Sequence, residues 1–218
     1  MSKFRKSARA YKPRDADKAA PFQHWYRDNQ VYFITARCRD RYPALASEQA
    51  KAIFWEQFNK YTAKHQFTPW VTSLLDNHWH TVGYLQLGAD LAPMMNGIQG
   101  ATSKLVNDLL QSEFYAGRLA PPPPPPSKYK RPVQPGRFVP FWYDTANKNY
   151  FDGCLRDELQ ATRTYRYVLT QCRRHHVGDD PATYPHTHIH QPLESALAQA
   201  TKLRAFMYDV PYPRYASA

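Results

Sequence analysis

In the stretch LLDNHWHTVGYL (74–85), His78 and His80 stand two positions apart. Along an extended strand, residues i and i+2 project to the same face. Both imidazoles would then point one way and Trp79 the other. Two imidazoles so placed can hold one divalent cation through their ring nitrogens. Taken alone the pattern is weak, because most histidines on strands are hydrogen-bonded core or surface groups. A second set of chemistry-bearing residues has to meet them.

The segment FDGCLRDELQATRTYRYVLTQCRRHHV (151–177) offers such a set. Its spacing predicts one helix, with Leu155, Leu159, Tyr165, Leu169 and Cys172 as the core-facing stripe and Gly178 as a natural stop. Tyr167 follows Tyr165 by two positions, about 200° around the helix. It joins Gln160, Arg163, Thr164, Gln171 and Arg174 on a polar face. Tyr167 and Gln171 are four apart and therefore neighbours there. A phenol, an amide and two guanidinium groups make a surface suited to phosphate, although a solvated face with a stray tyrosine would look the same.

Other groups carry less. His186, His188 and His190, in HTHIH, could bind metal if extended, but their Pro-flanked position suggests adventitious binding. His175 and His176 fit a helix C-terminus, where the dipole favours them. Tyr143 and Tyr150 are alternative nucleophiles only if the helix reading fails. Arg37, Arg39 and Lys104, with Arg163 and Arg174, are candidate phosphate contacts, each weak because exposed basic side chains are usually just solvated.

Elements must position these residues. QVYFITARCR (30–39) is aromatic and β-branched and reads as a strand. SEQAKAIFWEQFNKYTAKH (47–65) begins on a serine cap and carries Ala50, Ile53, Phe54, Phe58 and Tyr61 at helical spacing. Residues 66–76 read as a second strand, with Pro69 marking an irregular start or an edge. Residues 78–87 read as a third, joined to the second through Asp76-Asn77 as a hairpin. Residues 91–115 have helical spacing in their second half, while Gly97 and Gly100 weaken the first. Residues 179–192 read as a loop and 193–206 as a terminal helix. The order β-α-β-β-α suits an α+β sandwich with helices on one face of an antiparallel sheet.

The chain has 218 residues, 43% hydrophobic and 15% aromatic, which is enough for a packed core. Residues 1–20 hold seven basic and two acidic side chains and read as a flexible basic arm. Residues 117–149 hold a run of six prolines and read as an exposed, basic, proline-rich loop. Domain bounds follow as 1–20 arm, 21–190 main domain and 191–218 C-terminal helix and tail. Cys38, Cys154 and Cys172 are odd in number and far apart, which argues for buried free thiols. Lys and Arg number 29 against 18 acidic residues, a net charge of +11, alongside sixteen tyrosines. That balance points to a polyanion, and aromatic rings would let unpaired bases stack. No apolar run approaches the roughly 18 residues of a membrane span, and the N-terminal stretch lacks the apolar centre of a secretory signal. A soluble, cytoplasmic protein is expected.

Several segments together resemble a family. DNHWHTVGYL is similar to the PNHxH segment of the IS200-like transposases, especially the REP-associated tyrosine transposases. These are single-tyrosine HUH nucleases, in which U is a bulky apolar residue, here Trp79. YFITARCRDRYPAL resembles their first strand and turn. MMNGIQGATSKLVN resembles a helix of theirs, with Gln99 in place of the usual lysine. FWYDTANKNYFDGCLRDELQATRTYRYVLTQ resembles FWQ…YFD…R-D-E…YI…N. The match spans residues 25 to 185. It departs after Tyr167, where QCRRHHV replaces Asn-Pro, and in the long insertion at 117–149.

The resemblance implies a ferredoxin-like HUH fold, a metal pair at His78 and His80, Gln171 completing that site, and Tyr167 as nucleophile. It implies Mg²⁺ or Mn²⁺, with zinc an alternative. The implied reaction is cleavage and rejoining of single-stranded DNA at hairpin-flanked sites through a 5′-phosphotyrosine. The implied setting is a nucleoid-associated bacterial-type protein, monomeric or homodimeric. Two other readings remain: a catalytically inactive, transposase-derived DNA-binding protein, and an RNA-binding ferredoxin-like module. The latter explains charge and aromatics but not the His-His-Tyr-Gln set.

Overall fold

A computed structural model describes residues 24–119, 141–142 and 150–208. The basic arm, nearly all of the proline-rich segment and Tyr143 lie outside the described residues. The described chain forms strand β1 (Gln30–Arg37), helix α1 (Glu48–Lys64), β2 (Phe67–Leu74), β3 (His78–Leu85), helix α2 (Leu91–Tyr115), β4 (Tyr150–Cys154), helix α3 (Glu158–Leu169), a short α4 (Gln171–Arg174), β5 (Thr187–Ile189) and α5 (Leu193–Lys202). A 3-10 turn at Arg39–Arg41 follows β1. The strands make one antiparallel sheet in the order β4-β1-β3-β2-β5.

The expected α+β antiparallel architecture is present. Its helices, expected on one face, cover both. On β1, Tyr32, Ile34 and Ala36 face a core shared with α1 and α2, while Val31 and Phe33 face a second core shared with α3 and α5. Both sides of β1 and β3 are therefore apolar, and a sheet apolar on both faces needs helices on both. The sequence reading expected one covered face; which helix takes which side is decided by long-range packing.

Local signals explain most elements. Ser47 caps α1, its hydroxyl accepting from Ala50 N–H at 3.2 Å. β2 and β3 form the expected hairpin, closed where Leu75 N–H donates to His78 O at 2.9 Å. The register of that pair shifts between Pro69 and Val71, as a missing N–H within a strand requires. α2 is helical from Leu91 onward, through both glycines. At Gly97 a Cβ would lie 2.3 Å from the Tyr61 ring. Here the glycine serves close helix–helix packing, which outweighs its poor helix propensity.

The largest departure is at 151–177. Its first residues form β4, pairing with β1, and the helix starts only at Glu158. Asp157 caps it by accepting from Gln160 N–H at 2.7 Å, and Gln160 Oε1 accepts from Arg156 N–H at 2.9 Å. This Asp-x-x-Gln arrangement, in which the glutamine reaches the residue before the cap, is a start signal that the apolar stripe masked. Leu155 is buried but not helical, and Leu159 is 56% exposed. The inward stripe is instead Ala161, Thr164, Tyr165 and Val168. The helix breaks at Thr170, whose hydroxyl bonds back to Arg166 O. Its continuation α4 ends at Arg174, and His176 beyond the cap takes a left-handed φ of 56°, two residues before Gly178. β5, inside the expected loop 179–192, pairs with β2. α5 forms nearly as expected and buries Ala196 and Ala200 in the second core. All three cysteines are free and buried. Phe141 packs in the first core, and Trp142 Nε1–H donates to Gln99 O at 2.8 Å, so the chain entering β4 is anchored on α2.

Candidate active site

β3 presents His78 and His80 on the face covered by α3 and sends Trp79 to the other. Trp79 is fully buried, 5.3 Å from Phe54 and 5.8 Å from Phe58 between ring centroids. That packing fixes the strand's rotation and so aims both imidazoles at α3. Their ring centroids are 5.0 Å apart. The neighbouring β1 places Thr35 opposite His80 and Arg37 opposite His78.

The helix phase read from the sequence holds where it matters. Tyr165 turns into the core and its hydroxyl donates to Gln191 O at 2.9 Å. Tyr167 turns toward the histidines. Its ring stands 5.4 Å from His80, at 78°, and 6.0 Å from Phe33, at 87°. Phe33 in turn stacks on His80 at 5.9 Å. The Arg174 guanidinium lies over the Tyr167 ring at 4.9 Å, a cation–π contact.

Each imidazole is held by one nitrogen. Asn77 Oδ1 meets His78 Nδ1 at 2.6 Å, and Thr35 Oγ1 meets His80 Nδ1 at 2.6 Å. Pinning Nδ1 in this way leaves Nε2 as the nitrogen for a ligand, the arrangement found around metal-bound histidines. Burial is the first cause that favours the neutral rings. It lowers His78 to about 4, helped by His175, Arg37 and Arg41. It holds His80 well below the ordinary histidine range, helped by His78, His175 and Arg174. Neutral imidazoles are what a cation needs as ligands.

Gln171 is fully buried. Its Nε2–H donates to Tyr167 O at 2.7 Å, while its Oε1 has no hydrogen-bond partner among the described residues. An orphaned buried carbonyl oxygen is uncommon in a native core and calls for an explanation. As donor types, this amide oxygen and two Nδ1-anchored imidazoles suit a divalent cation. Among the described residues no cluster of three His, Cys, Asp or Glu side chains could hold a metal, so such a site would depend on the amide.

The structure therefore brings together His78, His80, Tyr167, Arg37 and Arg174, with Gln171 one helical turn beyond Tyr167. It does not bring in Lys104, which is exposed on α2 across the sheet. Arg163 is exposed a turn before Tyr167, and Arg39 lies in the 3-10 turn that follows β1. The HTHIH histidines pack against α1 instead: His188 stacks on Trp55 at 3.8 Å, and His186 Nε2 pairs with Glu48 at 3.0 Å. Tyr150 stacks on His24 at 4.1 Å in the first core, away from the site. The sequence reading missed Asn77, Thr35, Arg41 and His175. His175 is four residues beyond Gln171, and its ring lies 4.6 Å from His78. The same i, i+4 spacing that linked Tyr167 to Gln171 could have found it.

This geometry can be set beside known structures. The structure of a REP-associated tyrosine transposase bound to a REP hairpin superposes with a TM-score of 0.56 at 13% identity, covering 82% of this chain and 88% of that one. The chain has the fold of a REP-associated tyrosine transposase. A putative transposase from Deinococcus radiodurans R1 also matches, at 11% identity and a TM-score of 0.38, over 71% of this chain and 97% of that one. No protein-family model and no curated protein matches the chain. The fold of the REP-associated tyrosine transposases thus coincides with the family that the His-x-His and tyrosine segments resemble. Among the described residues no helix is long and apolar enough to cross a membrane.

Proposed function

We propose that this protein cleaves and rejoins single-stranded DNA at hairpin-flanked sites, with Tyr167 as nucleophile. The observation that carries the reading is the 5.4 Å approach of the Tyr167 ring to His80 on the face that also holds His78. The fold likeness is to a transposase bound to a hairpin, which supports the same substrate class.

A phenol is a weak nucleophile at neutral pH unless assisted. Burial and the Asn77 and Thr35 contacts keep His78 and His80 neutral and oriented, and the Gln171 oxygen completes the donor set. These three residues would hold Mg²⁺ or Mn²⁺, with zinc the alternative. When bound, the ion supplies Lewis acidity to a scissile phosphate and stabilises its developing charge. Arg174 packs over the Tyr167 ring and sets positive charge on that side of the site, and Arg37 adds charge at the strand end. Tyr167 Oη attacks phosphorus and loses its proton to solvent. The P–O3′ bond breaks, the 3′ oxygen takes up a proton, and the 5′-phosphate remains on tyrosine. Attack by a 3′-hydroxyl reverses these bond changes and rejoins strands, so no nucleotide is consumed.

The test is a hairpin-flanked single strand labelled on its 3′ side, incubated with the protein and Mn²⁺ and run on a denaturing gel. Label should migrate with the protein, and Tyr167→Phe should abolish the adduct. An adduct that persists in that variant overturns the nucleophile. Tight binding with no adduct across a hairpin library would favour the DNA-binding reading.

A further inference from the structure

Asn77 does more than end the hairpin. Its Oδ1 faces His78 Nδ1 at 2.6 Å, and its Nδ2–H donates to Arg41 O at 3.1 Å. The second contact fixes the first. A backbone carbonyl only accepts, so the amide must turn its NH2 toward Arg41 and its oxygen toward the imidazole. An oxygen acceptor at Nδ1 requires that Nδ1 carry the proton, so Nε2 keeps its lone pair. His80 has no such lock, since the Thr35 hydroxyl can donate or accept.

The Arg41 carbonyl reaches Asn77 from an unusual backbone. Arg41 has φ +58°, a left-handed conformation that non-glycine residues rarely adopt. Two further bonds join this turn to the hairpin: Cys38 N–H donates to Asn77 O at 2.6 Å and Leu45 N–H to Asp76 O at 2.8 Å. A strained, over-determined backbone beside a site is where such conformations concentrate.

We propose that Asn77 is a positioning residue, which with the left-handed carbonyl of Arg41 locks His78 as the Nδ1–H tautomer and so presents Nε2 to a cation. The same link ties the basic 39–41 turn to the strand end that carries the histidines. The metal consequence rests on the proposed function above; the tautomer lock does not.

The first experiment is therefore metal-free. Long-range ¹H–¹⁵N NMR of the full chain reads which His78 nitrogen bears hydrogen. The wild type should show Nδ1–H, and Asn77→Ala should shift His78 toward the Nε2–H form that free histidine prefers. Nε2–H in the wild type, or an unchanged spectrum in Asn77→Ala, overturns the proposal. Arg41→Gly keeps the left-handed carbonyl and should leave the tautomer alone, whereas Arg41→Val resists positive φ and should weaken the lock. Co²⁺ titration is the second readout. Asn77→Ala should bind about 10–100-fold more weakly, and Asn77→Asp, which keeps an oxygen acceptor, should recover much of the loss. Wild-type Co²⁺ affinity in Asn77→Ala, with loss in His78→Ala, overturns the link to the cation. Wild-type affinity in His78→Ala overturns the metal reading itself, and the NMR result then decides the lock alone.

Discussion

Tyr167 stands edge-on to His80, with ring centroids 5.4 Å apart and planes at 78°. Two residues earlier on the same helix, Tyr165 points the other way and spends its hydroxyl on Gln191 O. The two tyrosines should therefore separate by phenotype. Tyr165→Phe loses one buried hydrogen bond, on the order of 1 kcal/mol of stability, and should still form a DNA adduct. Tyr167→Phe keeps the ring contacts to Phe33 and His80, should lose no more than about 1.5 kcal/mol of stability, and should form none. Thermal melts and the adduct gel read both; an adduct-negative Tyr165→Phe with normal stability would reverse the assignment.

Gln171→Leu is expected to split stability from metal binding. The substitution removes an unpartnered buried oxygen, which by itself costs roughly 1–3 kcal/mol, but also the Nε2–H bond to Tyr167 O. Without metal the melting temperature should stay near wild type, while Mn²⁺ affinity by calorimetry should drop at least tenfold. Unchanged Mn²⁺ affinity would remove Gln171 from the donor set.

DNA affinity should depend on the sheet face. Arg174, over the Tyr167 ring, lies on the site face, and Lys104 lies across the sheet on α2. Arg174→Ala should weaken single-strand binding and reduce the salt slope by about 0.7, the value for one lost phosphate contact. Lys104→Ala should change neither. Fluorescence anisotropy at several salt concentrations measures this, and equal effects from the two variants would place the DNA elsewhere.

Acid should destabilise the metal-free fold. Burial first, then His175, Arg37 and Arg41, lowers His78 to about 4, against an ordinary value of 6.5; burial also holds His80 well below that ordinary value. Below 6.5 the unfolded chain takes up protons that the folded chain refuses, so stability falls as pH falls. The contribution is complete above about 6.5 and is lost progressively toward pH 4. In EDTA the melting temperature should drop by roughly 5–10 °C over that window, with a shallower slope in His78→Gln. A flat profile in the wild type would contradict the burial.

Gly97→Ala should cost about 1–3 kcal/mol through overpacking, because the new methyl would meet the Tyr61 ring at 2.3 Å. Tyr61→Ala in the same chain should recover part of that loss in a chemical-denaturation cycle. Strict additivity would mean that α1 and α2 do not meet there.

Some of this was legible from residue order. The hairpin was, because Asp76-Asn77 separates two apolar runs at a length only a tight turn can span. The sidedness of His78 and His80 followed from strand geometry, and that of Tyr167 and Gln171 from helical spacing. The start of α3 was misplaced because β4 is apolar and aromatic, and short apolar runs do not distinguish strand from helix. Asp157 and Gln160 held the better signal.

By itself, then, the sequence determined which residues share a face: period-two and four-residue spacings are local geometry and need no partner. Only the tertiary structure decided which faces meet. The side of the sheet on which α3 lies depends on long-range burial of Val31, Phe33 and Val82 against Tyr165 and Val168. The meeting of Asn77 with Arg41, 36 residues apart, depends on two turns packed at one end of the sheet, which no local spacing encodes.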